Sequence, residues 1–160
     1  MHERGEKDAF TFDIWFHFKN LMPPDDVCLD VLFNRKLLTF VMGSQLGTLT
    51  VWKCGTENNC IHTFDPVGKP ITSLQSHPRE PLYFISASLD SVIRVYDLRK
   101  YLHIYSFEID QVVKYIKLID THLFACYFDN GHLKTGQIDN IANLFLTRQQ
   151  VVRSVGKMFK

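Results

Sequence analysis

Phe40 to Trp52 reads FVMGSQLGTLTVW, and Phe84 to Tyr96 reads FISASLDSVIRVY. The two stretches align without a gap at an offset of 44 residues, so Phe40 meets Phe84, Ser44 meets Ser88, Val51 meets Val95 and Trp52 meets Tyr96. A weaker copy, FACYFDNGHLKTG from Phe124 to Gly136, follows 40 residues later, with Gly131 under Ser91 and Leu133 under Ile93. All copies share one grammar: an apolar run, a short polar turn, then an alternating run. In the second copy Val92, Arg94 and Tyr96 point one way and Ile93 and Val95 the other, which is the period of a β-strand. Leu46-Gly47, Leu89-Asp90-Ser91 and Asn130-Gly131 occupy the same turn. Glycine suits a positive φ there, so Ser91 is expected to carry mild strain.

Repeats of roughly 40–45 residues are the spacing of four-stranded propeller blades. The fold class expected is therefore all-β, with about three such blades and partial blades at both ends. The strand map is 27–33, 37–43, 48–53 and 60–64 for blade one; 71–75, 82–88, 92–96 and 102–108 for blade two; 112–118, 123–128, 132–136 and 143–147 for blade three. Residues 1–26 form an N-terminal extension with a candidate strand at 10–18. Blades span 27–64, 71–108 and 112–147. Residues 148–160 start a further blade, at 150–156, or form a tail, and the stretch after Asn140 also admits a helix. Pro23, Pro24, Pro66, Pro70, Pro78 and Pro81 punctuate the strands. Closed propellers usually have about 4–8 blades. The remaining blades are expected from a longer parent chain or from self-association.

The 160 residues carry 18 basic and 17 acidic side chains, a net charge of +1. Such balance argues against a surface that tracks polyphosphate, which needs clustered Lys and Arg. Hydrophobic residues make up 46% and charged residues 22%, the composition of a globular chain. Thirteen Phe suit strands more than helices. The longest apolar run, Leu123 to Phe128, is far short of the roughly 20 residues of a membrane-spanning helix. MHERGEKDAF lacks the apolar core of a secretory signal. Four Cys are too sparse for a disulfide scaffold. A cytoplasmic location is expected, with the nucleus as the alternative.

SLDSVIRVYDLRK, Ser88 to Lys100, resembles the WD-repeat family. Tyr96-Asp97 stands for the Trp-Asp pair that ends a strand, and Asp90 for the turn Asp. Trp52-Lys53 keeps the Trp and loses the Asp. Ser76-His77-Pro78 is similar to the Ser-Pro loop between the first two strands of such repeats. The resemblance covers about 27–136, strongest in the second copy. Neither Asp65 to Pro70 nor Glu108 to Gln111 offers the family's Gly-His pair. The His–Ser–Asp–Trp network is therefore absent, and the blades are expected to rely on apolar packing. Gly136 stands where the third copy's Trp belongs.

No nucleophile elbow, Walker loop, dinucleotide fingerprint or zincin motif is present, so no enzyme and no cofactor are expected. The seven His share no spacing. Cys54, Cys60 and His62 lack zinc-knuckle spacing and a fourth ligand, so no metal is expected. The better reading is a hairpin whose turn, GTENN, is flanked by Cys54 and Cys60 as thiols. Cys28 and Cys126 read as small core residues. A nucleic-acid-binding module is a third, disfavoured reading. It would need Arg94, Arg99, Lys100, Lys114 and Lys117 to meet, with Tyr101, Tyr105 and Tyr115 stacking on bases.

Protein partners bound through propeller loops are the function expected, because loops on rigid strands carry most binding sites. The candidate residues are Leu46, Leu89, Asp90, Asp129 and Asn130 at the turns, and Asp97 and Arg99 beyond the strand that ends at Tyr96. IRVYDLRK resembles the box by which some WD-repeat proteins dock on cullin–RING ubiquitin ligases. That resemblance implies, as an alternative, a substrate-receptor segment that uses Asp97 and Arg99. Asp97 serves equally as a turn residue that satisfies backbone donors.

Overall fold

Each apolar run of the repeat becomes a strand. The computed structural model describes residues 23–54, 60–121 and 123–137. The strands are Cys28–Asn34 (β1), Thr39–Ser44 (β2), Leu49–Lys53 (β3), Cys60–Thr63 (β4), Ile71–Ser76 (β5), Tyr83–Ser88 (β6), Val92–Asp97 (β7), Leu102–Glu108 (β8), Val113–Leu118 (β9), Leu123–Phe128 (β10) and Leu133–Gln137 (β11). They form three antiparallel sheets in sequence order: β1-β2-β3-β4, β5-β6-β7-β8 and β9-β10-β11. These are the three expected blades, with each described boundary within about two residues of the strand map. The candidate strands at 10–18, 143–147 and 150–156, the helix after Asn140 and the turn at 55–59 lie outside the described residues. Among the described residues no helix is long and apolar enough to cross a membrane.

The blades stack through their first strands, with β5 between β1 and β9. Each first strand carries a bulge at its second residue. Leu29 is extra between the pairs Cys28–Ser44 and Asp30–Gly43, Thr72 between Ile71–Ser88 and Ser73–Ala87, and Lys114 between Val113–Phe128 and Tyr115–Tyr127. Ile61 and Ile104 are bulged in the same way in β4 and β8. A bulge bends its strand and increases the local twist, so the repeat extends to the curvature of each sheet.

Two apolar cores lie between the blades. Leu32, Val41 and Val51 are paired across β1, β2 and β3, and share a face that packs on Phe64, Ile71, Phe84 and Tyr96. The opposite face of blade two, with Ile85, Ala87, Ile93 and Val95, packs on Val113, Ile116, Phe124, Cys126 and Phe128 of blade three. Blade two is therefore covered on both sides, and β6 is buried at every position. This explains why its sequence is a continuous run rather than an alternation. β1, covered on one side, leaves Leu29, Val31 and Phe33 exposed.

Aromatic pairing repeats as well. Phe40 stacks on Trp52 with ring centroids 6.5 Å apart, and Phe84 on Tyr96 at 4.9 Å. In the third copy Phe124 faces Gly136 across the ladder. A Cβ on Gly136 would lie 2.6 Å from the Phe124 ring. The missing aromatic is thus accommodated by laying Phe124 over bare backbone.

Two expectations need correction. The blades do not rely on apolar packing alone. Asp30 Oδ2 accepts the Leu74 amide of the next blade at 2.7 Å, Thr72 Oγ1 donates to the Val113 carbonyl at 2.9 Å, and Ser73 Oγ donates to the Ile116 carbonyl at 3.3 Å. First strands pair on one side only, and polar side chains of the neighbouring blade satisfy backbone groups on the other side. Cys28 is not a core residue: it is half-buried at the start of a strand covered on one side, and its thiol donates to the Asp30 carbonyl at 3.5 Å. Cys126 is fully buried in the second core, and burial pushes its thiol up to about 12.

Candidate functional site

The turns that join the second and third strands of the blades gather at one end. Gly47, Ser91 and Gly131 have φ of 86°, 63° and 83°. Their amides donate to the carbonyls of Ser44, Ser88 and Phe128 at 3.2, 3.2 and 3.1 Å. Two residues earlier, Gln45, Leu89 and Asp129 donate to Val27, Pro70 and Val112 at 2.8, 3.0 and 3.1 Å. These bonds tie every turn to the segment that enters its own blade. Ser91 thus holds the left-handed position expected of it.

Five of the expected residues sit on these turns. Leu46 and Leu89 are 56% and 37% exposed. Asp129 and Asn130 are exposed, and Asn130 Oδ1 accepts the His132 amide at 3.0 Å. Asp90 Oδ1 accepts the Val92 amide in the same way at 3.0 Å, but both its oxygens are also held by the Arg94 fork at 3.2 and 2.6 Å. Asp90 locks a turn, whereas the two leucines offer apolar surface.

Asp97 and Arg99 lie at the opposite end, where β7 turns into β8. The structure therefore divides the seven candidates between two faces. Asp97 Oδ1 accepts the Arg99 amide at 2.7 Å and Arg99 Nε at 3.3 Å, while a terminal guanidinium nitrogen donates to Asp97 Oδ2 at 3.1 Å. The same nitrogen donates to the Tyr83 hydroxyl. The guanidinium carbon lies 4.9 Å from the centre of the Tyr83 ring. The hydrogen bond to Asp97 raises the Arg99 pKa above its ordinary value, and burial raises that of Tyr83. The Asp97 side chain is 2% exposed and that of Arg99 46%. The aspartate is consumed by its neighbours and the arginine is held outward.

Some of what holds these ends escaped the sequence. Asp26 Oδ1 accepts both the Val27 and Leu46 amides, at 2.9 and 3.0 Å, and so anchors the first turn. Tyr83 fixes Arg99 from the far side of the hairpin. Its only sequence signal is its pairing with Asp97 across β6 and β7. Among the described residues no group of three His, Cys, Asp or Glu is placed to hold a metal. Cys54 and Cys60 are unpaired.

No family model matches the sequence, and neither does any curated protein. Solved structures do. The β-propeller domain of Myceliophteria thermophila Cps50 (Swd1) is 21% identical, with a TM-score of 0.61 over 74% of this chain and 38% of that one. The RRP9 WD40 repeats are 12% identical, with a TM-score of 0.64 over 77% and 38%. U3-55K is 11% identical, with a TM-score of 0.65 over the same shares, 77% and 38%. The chain has the WD40 propeller-blade fold. It spans about 38% of the length of the WD40 propellers it matches. In blade two Asp90 pairs with Arg94, and Tyr96 packs on Phe84 where a Trp stands in the first copy.

Proposed function

We propose that this chain is part of a larger WD40 propeller acting as a non-catalytic scaffold for protein partners. The row of turns at one end carries this reading. Three hairpins of one geometry, each fixed to its own blade, present Leu46 and Leu89 to solvent on rigid strands. Rigid elements with exposed apolar tips suit recognition, since little conformational freedom is lost on binding. The exposed Leu29, Val31 and Phe33 on the open side of blade one support further blades, from a longer parent chain or a second copy. An intracellular site, cytoplasm or nucleus, belongs to the same proposal and is supported by four unpaired cysteines.

The test is quantitative cross-link capture with the wild type and the Leu46→Ser/Leu89→Ser double variant. Both positions are exposed, so thermal stability is expected to change little. Selective loss of captured proteins at unchanged stability is the expected outcome. An identical captured set would count against this end as the partner surface.

A further inference from the structure

Each blade has one cross-strand row on the face turned toward the next blade. In blade one the row is Asp30, Gly43 and Leu49, in blade two Ser73, Ala87 and Ile93, and in blade three Tyr115, Tyr127 and Leu133. In the first two rows a short polar side chain stands beside a residue with at most one side-chain carbon. Asp30 Oδ2 accepts the Leu74 amide and Ser73 Oγ donates to the Ile116 carbonyl. Gly43 lies so close to Ile71 that an added Cβ would meet that side chain at 2.6 Å. Leu49 and Ile93 are fully buried in the cores shared with the following blade. The rule is close approach: the next first strand lies directly on the row.

Blade three breaks this rule. Tyr115, Tyr127 and Leu133 are 46%, 44% and 66% exposed. Facing side chains on a ladder have Cβ atoms about 5 Å apart, so the three form one apolar ridge across the sheet. A first strand laid there as β5 lies on blade one, or β9 on blade two, would meet two rings where those blades offer a methyl or less. A helix suits such a ridge, because its axis stands off the sheet by the length of its own side chains. Residues 138–160 follow β11, and their sequence carries one. Ile141, Leu144, Phe145, Val151, Val152 and Val155 fall within about a third of the helical circumference. Asn143, Thr147, Gln149, Gln150, Arg153 and Ser154 take the rest. Arg148 interrupts the stripe, and its long stem lets the charge reach water. Asn140 stands at the N-cap position and Gly156 just past the last turn, the two residues that suit those places.

We propose that residues 141–155 form an amphipathic helix that docks its apolar stripe on the Tyr115–Tyr127–Leu133 row and takes the place of a following blade. A helix of that length spans about 22 Å, and β10 beneath it about 20 Å. The segment begins within a few residues of β11, so its effective concentration at this face is in the millimolar range, which favours it over a second copy or a separate partner. Leu133 lies four residues back from Gln137 along β11, about 13 Å. A helix returning from Ile141 brings Val151 and Val152 to that depth. A fourth strand at 143–147 would instead lie along the β11 edge and leave the row bare. The inference goes beyond the scaffold reading and does not depend on it.

The test is photo-cross-linking in the full chain with Tyr127 replaced by p-benzoylphenylalanine, an aromatic substitution at an exposed position. Equal amounts of heavy-isotope-labelled and unlabelled chain are mixed, and the cross-linked peptides are read by mass spectrometry. Cross-links within one chain, centred on Val151 and Val152, are the expected result. Val151→Asp/Val152→Asp charges the stripe without touching a blade and is expected to remove them. Circular dichroism of the unsubstituted full chain is expected to show a helical component, which the described strands do not supply. Cross-links that join labelled to unlabelled chain, none to residues 141–155, an unchanged yield in the double Asp variant, or a spectrum without helix would each overturn the proposal. The Leu46→Ser/Leu89→Ser experiment reads the turns at the end of the blades, so failure there and failure here are told apart.

Discussion

The three equivalent turns form a graded experiment on backbone strain. At Gly131, with φ at 83°, an added Cβ meets nothing within 4 Å. Gly131→Ala therefore costs only the left-handed penalty of an L-residue, about 1–2 kcal/mol. That is offset by the lower entropy of the unfolded Ala chain, about 0.4–1 kcal/mol, so the net loss is about 1 kcal/mol. At Gly47 the same Cβ would lie 2.6 Å from the Lys69 carbonyl oxygen and 2.8 Å from the Gly68 and Lys69 amide nitrogens. These are backbone atoms and cannot rotate away. Gly47→Ala adds a packing clash of about 1–3 kcal/mol, for a total near 3 kcal/mol. Ser91 reverses the sign. Its φ of 63° is already left-handed, so Ser91→Gly relieves strain and stabilises by a few tenths up to about 1 kcal/mol. Equilibrium urea unfolding of the three variants measures the order. Equal losses for Gly47→Ala and Gly131→Ala, or a loss above about 0.5 kcal/mol for Ser91→Gly, would refute the equivalence of the turns.

Asp30→Ala strands the buried Leu74 amide between blades one and two and is expected to cost about 1–3 kcal/mol, while Asp30→Asn, which keeps an acceptor, recovers most of it in the same unfolding assay. Toward a water-soluble thiol reagent, exposed Cys60 is expected to react first and buried Cys126 only on unfolding; early labelling of Cys126, read by mass spectrometry, would break the second core. Burial, aided by Arg94, lowers the His103 pKa below its ordinary value of 6.5. The folded chain then binds that proton less readily than the unfolded chain, so stability holds above about pH 6.5 and falls as the solution is acidified. Melts across that range should show a flatter dependence for His103→Gln, and an unchanged slope would remove His103 from the account.

Strands, blades and turns were legible because they are local. Period-two alternation and a fixed offset are written along the chain, and the positive φ of Ser91 followed from its alignment with Gly47 and Gly131. The contacts between blades were not legible. Asp30 and Leu74 lie 44 residues apart, and Ser73 and Ile116 lie 43 apart. Nothing in the alternation says that a polar side chain on one first strand will serve an amide on the next. The bulges at Leu29, Thr72 and Lys114 were equally hidden, since one extra residue leaves no compositional mark. The candidate list joined Leu46, Leu89 and Asp90 with Asp97 and Arg99 because all lie near strand ends. The strand at 92–96 already separates Leu89 from Arg99 in the sequence; what was hidden is the Tyr83 hydroxyl that meets Arg99 from β6.

Native-state hydrogen exchange, read amide by amide, tests the repeated-blade architecture most directly. Gln45, Leu89 and Asp129 each donate to the segment entering their own blade, and Cys54 and Leu98 donate to Leu38 and Leu82 at 2.8 Å at the other end. Protection is expected at all five, highest at Leu89 and Leu98, because blade two is covered on both faces. Rapid exchange at Leu89 and Leu98, with protection confined elsewhere, would contradict the architecture on which the proposed function depends.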